Sequence, residues 1–137
     1  MADLSTFDVN CAGNPNNNIF GLPFAEEDAR LVILPVPWEV TVSYGAGASE
    51  GPAAIFDASF QVDLLHQDFP ELWKLGIYLD EAPSHWKTNS DKYKELAQPI
   101  IEMLESGEAI ETYPALQADL DKINKVCREL HTEVKEK

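Results

Sequence analysis

Cysteine is nearly missing from this chain. Cys11 and Cys127 are its only two, far apart and without a Cys-x-x-Cys spacing, so neither a zinc site nor a dithiol redox motif is signalled. Bases are scarce as well. Ten lysines and arginines stand against 24 aspartates and glutamates, and the formal net charge of −14 repels phosphate backbones and anionic lipid surfaces. No nucleic acid and no membrane partner is expected. Long apolar runs are absent, so no spanning helix is anticipated, and the start Met1-Ala2-Asp3-Leu4 lacks the basic and apolar regions of a signal peptide. The expected location is the cytoplasm.

Histidine is equally thin. His66, His85 and His131 are the only three, and no two of them share a helical i, i+4 spacing that would hold a metal. Asp63 with His66, and Glu81 with His85, read as chance neighbours among surface or loop histidines. No Gly-x-Ser-x-Gly elbow is present to position a serine nucleophile. No catalytic residue and no metal ligand can be named from these absences. What remains is an ordinary apolar fraction, 45% of 137 residues, enough for a folded domain that buries about two-thirds of its unfolded surface.

The most informative stretch runs from Leu31 to Ser59. Leu31-Val32-Ile33-Leu34-Pro35-Val36 is an apolar run without polar alternation, which predicts a strand covered on both faces, as in a parallel sheet. A glycine-bearing loop follows, and Gly51-Pro52 opens a helix to about Ser59, with proline at a position where its missing N–H is no loss. The loop Ser43-Tyr44-Gly45-Ala46-Gly47 falls at the carboxyl end of the strand, where open α/β sheets present their ligands. Gly45 and Gly47 allow positive φ or a close ligand approach. A dinucleotide fingerprint is excluded by spacing, because Gly-x-Gly-x-x-x-Gly is one residue too long and no Lys-Ser or Lys-Thr follows. Glu39 and Glu50 flank the loop and read as solvated carboxylates.

Elsewhere the pattern is coarser. Residues 1–28, with Gly13-Asn14-Pro15-Asn16-Asn17-Asn18, predict an irregular arm anchored by Ile19-Phe20-Gly21-Leu22-Pro23-Phe24, packed on its own chain or on a neighbouring subunit. Residues 29–137 then predict one α/β domain. Gln61–Leu65 reads as a short extended piece, Leu72–Leu79 as a second strand and Asp80–Asn89 as a loop. Ser90 is expected to cap a helix from Asp91 to Ser106, kinked at Pro99, with the stripe Tyr93, Leu96, Ala97, Ile100, Ile101 and Leu104 buried and Ser106-Gly107 as its stop. Tyr113-Pro114 starts a last helix with the stripe Leu116, Leu120, Ile123, Cys127, Leu130 and Val134. That helix reaches Lys137 without a stop signal, which fits a fragment whose chain goes on to another strand, or the frayed end of a small protein.

Pro37-Trp38-Glu39-Val40-Thr41-Val42-Ser43-Tyr44-Gly45-Ala46-Gly47, then Glu50-Gly51-Pro52-Ala53-Ala54-Ile55 and Asp57-Ala58-Ser59, resembles the N-terminal loop of the ureohydrolases, the arginase, agmatinase and guanidine hydrolase family. Trp73-Lys74-Leu75-Gly76-Ile77 fits the strand that follows in such proteins. The resemblance implies the N-terminal part of a three-layer αβα sandwich with a parallel sheet, incomplete in this chain. It also implies hydrolysis of a C–N bond in a guanidino substrate by a manganese or nickel pair. The Gly-Gly-(Asp/Glu)-His, Asp-x-His-x-Asp and Asp-x-Asp segments that hold those metals in the family do not occur here. The expected cofactor content of this chain is therefore none, and the chain alone is expected to be inactive. By resemblance, Ser43, Tyr44, Gly45 and Gly47 lie at the active-site mouth and shape the guanidino pocket; the alternative is a purely conformational loop. A second expectation is a non-catalytic module that forms an oligomer or docks on a full-length relative through an open sheet edge.

Overall fold

The computed structural model describes residues 4–137, and the chain falls into two compact units. The first comprises the residues up to Val36 together with Glu50–Ala82; the second comprises Pro37–Ser49 and Pro83–Lys137.

The first unit is α/β. Its strands β1 (Leu31–Ile33) and β2 (Ile77–Leu79) pair in parallel, with Leu31 opposite Ile77 and Ile33 opposite Leu79, and helix α1 covers Gly51–Ser59. The parallel pair agrees with the expected sheet type, but β1 is half as long as the apolar run. Pro35 and Pro37 have no N–H to give to a ladder, so pairing ends before them. The expected cover on both faces is also missing: Leu31 and Val32 are 46% and 42% exposed. Leu72–Leu75 is a 3₁₀ turn rather than strand, and Gly76 ends it at φ +74°. A Cβ on Gly76 would stand 3.0 Å from the Asp28 carbonyl oxygen, so only glycine lets the chain enter β2 there. Gln61–Leu65 forms no strand; the Gln61 and Val62 N–H groups donate back to Ala58 and Ser59 as turns off α1.

Ile19, Leu22 and Phe24 are buried. Asn18 contributes more than a turn: its Oδ1 accepts the N–H of Ile19 (2.8 Å) and of Leu79 (2.6 Å), while its Nδ2 donates to the Leu79 carbonyl (3.1 Å). A side-chain amide thus completes the end of β2 as a backbone neighbour would.

The second unit is built on helices α2 (Ser84–Glu105) and α3 (Pro114–Glu136), packed together. Val40, Ala97, Ile100 and Ile123 form its buried centre, with Trp38, Tyr93, Leu96, Leu116, Leu120 and Cys127 against them. Both helical stripes therefore face the core as their spacing predicted. At the ends the stripes drift: Leu104 is 54% exposed while Met103 is buried, and Val126 is buried beside a half-covered Cys127. α2 starts earlier than expected, taking in residues assigned to a loop. Trp86, 1% exposed, donates its indole N–H to Glu133 of α3 at 2.7 Å, and this tertiary contact holds a first turn that has no side-chain cap. Ser90 is consequently no cap but an interior residue. α2 continues through Pro99 and closes at Ser106-Gly107, where the Glu108 N–H returns to the Met103 carbonyl. Among the described residues no helix is long and apolar enough to cross a membrane.

Candidate functional site

The loop after β1 is organised by the one carboxylate that its sequence context made inconspicuous. Glu39, between Trp38 and Val40, is 4% exposed. Its Oε2 accepts the backbone N–H of Gly47 (2.6 Å) and of Ser49 (3.2 Å), and its Oε1 pairs with the ammonium of Lys94 on α2. Its own backbone N–H donates to the buried hydroxyl of Ser90 at 2.7 Å. The Lys94 hydrogen bond, then the Gly47 amide, hold the carboxyl at a pKa of about 2 against the opposing effect of burial. The solvated reading of Glu39 is overturned. A buried acid in an apolar frame needs partners, and this rule was the signal available from Trp38-Glu39-Val40. Glu50 is exposed, as expected.

This carboxylate ties both ends of the loop to α2 and leaves the tip outward. Ser43, Tyr44, Gly45 and Gly47 are all exposed, Tyr44 at 96%. Gly45 has φ +67° and Gly47 φ +132°, and no atom lies within 4 Å of the place where either would carry a Cβ. Their conformation, rather than crowding, therefore demands glycine. Ser43 lines an apolar groove of the second unit with Thr41, Ile100 and Leu104. The arrangement offers two exposed hydroxyls on a stapled backbone. It offers no proton acceptor poised to activate a nucleophile, because Glu39 is fully engaged.

The histidines have other partners than their sequence neighbours suggested. His85 Nε2 lies 2.7 Å from Glu133, not on Glu81, and Glu133 is held below the usual carboxylate range by Trp86 first and His85 second. His66 accepts the Asp68 N–H and stacks beside Phe69, while Asp63 accepts the Leu65 N–H. His131 is exposed. Among the described residues no group of three or more His, Cys, Asp or Glu side chains is placed to hold a metal ion.

Against known proteins, no family model matches the chain and no solved structure does. Over 53 residues, 37% of the chain, it is 38% identical to an N(1)-aminopropylagmatine ureohydrolase of Synechocystis sp.. Over 59 residues, 43% of the chain, it is 39% identical to the protein of the same name from Thermus thermophilus. The matched stretch spans 17% and 18% of the length of these curated relatives. Partial as the match is, it supports a relationship of this chain to the ureohydrolase family.

Proposed function

We propose that this chain is the N-terminal portion of a hydrolase that cleaves a C–N bond of a guanidino compound. In this reading residues 29–137 are the beginning of an arginase-like αβα sandwich, and the Ser43–Gly47 loop stands at the substrate mouth. The observation that carries the reading is the partial identity to two ureohydrolases of the same name. The order of residue types from Pro37 to Ser59 supports it.

A guanidinium ion offers only N–H donors and no acceptor. The hydroxyl oxygens of Ser43 and Tyr44 would accept from it, and Glu39 keeps the loop that bears them fixed. The net charge of −14 favours the approach of a cation. A manganese or nickel pair, implied by the family, does not fit the residues present, since no converging ligand set exists among the described residues. In this reading its ligands belong to other parts of the protein, and the chain alone is inactive. The compartment that suits such a protein is the cytoplasm.

A second reading, a non-catalytic module docking on a full-length relative, draws support from the half-exposed apolar side chains of β1 and from a sheet that has two strands among the described residues. Urea release separates the two. With manganese or nickel and either agmatine or N(1)-aminopropylagmatine, the chain alone should release none, while a longer product containing this sequence should release urea and lose affinity for substrate on Tyr44→Ala. Urea from the chain alone, or none from the longer product, would overturn the proposal. Co-migration of an inactive chain with a full-length relative would favour docking.

A further inference from the structure

The second unit contains a groove that shares Ser43 with the proposed substrate mouth and whose other lining residues the hydrolase reading does not use. It has a volume of about 420 Å³, within the range of small-molecule sites of about 300–1,000 Å³. Ile100, Leu104, Leu120 and Ile123 give it aliphatic walls, and Thr41, Ser43 and Glu105 supply its polar lining. These three polar side chains make no hydrogen bond or ion pair with the described residues, so their oxygens remain available to a ligand. No lysine, arginine or histidine lines the groove among the described residues.

We infer that this groove binds a hydrophobic ammonium ion, an amine protonated at neutral pH on a short hydrocarbon body. The walls select the hydrocarbon. An ammonium presents three donors and no acceptor, which matches two hydroxyl oxygens and a carboxylate. An anionic amphiphile of the same body would find no cation and would meet the Glu105 charge. The net charge of −14 enriches cations around the chain in the same sense.

The test is a titration of the whole chain, followed by NMR of the isoleucine methyl groups, with n-hexylamine, n-hexanol, hexanoate and ethylamine at one pH and ionic strength. Hexylammonium should shift the Ile100, Ile101 and Ile123 methyls saturably. The alcohol should bind about two- to fivefold more weakly, as one solvent-accessible ion pair allows. Hexanoate should be weaker still, and ethylammonium should leave the methyls unmoved. Glu105→Gln should reduce the amine to the affinity of the alcohol. Leu104→Lys changes an exposed residue and so should leave the circular dichroism intact, and it should abolish amine binding. Methyls unmoved by hexylamine, equal binding of hexanoate, equal shifts with ethylamine, or an unchanged affinity in Glu105→Gln would each overturn the inference.

Discussion

Glu39→Gln keeps an oxygen to accept from Gly47 and Ser49 but removes the charge that pairs with Lys94. Because the folded carboxyl titrates near 2 rather than at its ordinary 4.5, its ionised form stabilises the fold fully above about 4.5, and this contribution is lost as the pH falls towards 2. The melting temperature of Glu39→Gln should therefore lie below that of the parent at pH 6, and the gap should close on acidification. A gap that stays constant down to pH 2 would mean that the pairing does not operate. The glycines make a second prediction at this scale. Gly45→Val and Gly47→Val should each cost about 1–3 kcal/mol, because both sit at positive φ, whereas Ser43→Ala, exposed and unbonded, should stay within about 0.5 kcal/mol. Thermal melts of the three variants decide it. The need for these glycines was legible from their spacing in a loop. The burial of Glu39 was hinted at only by its apolar neighbours Trp38 and Val40, because its partners lie 8, 10 and 55 residues away and no local pattern identifies them.

Among the elements, periodic helices were the easiest to anticipate and short strands the hardest. The stripes on α2 and α3 repeat every three or four residues and face one core, so spacing alone placed them. The first turns of α2 carry no such repeat and exist through Trp86 and Glu133, a contact between distant segments. β1 illustrates the opposite failure: an apolar run promised six residues of strand, and two prolines limited it to three. Ser90 gives the prediction for this scale. As the buried acceptor for the Glu39 N–H it should cost about 1–3 kcal/mol when changed to alanine, although alanine is the better helix former. Ser84→Ala, at the exposed start of α2, should change little. Equal effects in urea denaturation would return Ser90 to an ordinary helical position.

At the scale of the whole molecule the prediction concerns metal content. Divalent manganese and nickel need several converging carboxylates or imidazoles, and the described residues bring no three together. After loading and dialysis the chain should retain no stoichiometric manganese or nickel by elemental analysis; one or two ions per chain would show a site formed in some other way. The resemblance to ureohydrolases was legible in the residues from Pro37 to Ser59. A metal centre was not legible at all, since none of that family's metal-ligand segments occurs within the 137 residues. The most direct test of the account is the coding sequence beyond the codon for Lys137. It should run on in frame, through little more helix and a connection of about 2–6 residues, into an apolar strand ending in Gly-Gly-Asp-His or Gly-Gly-Glu-His. An in-frame stop codon directly after Lys137 would contradict it.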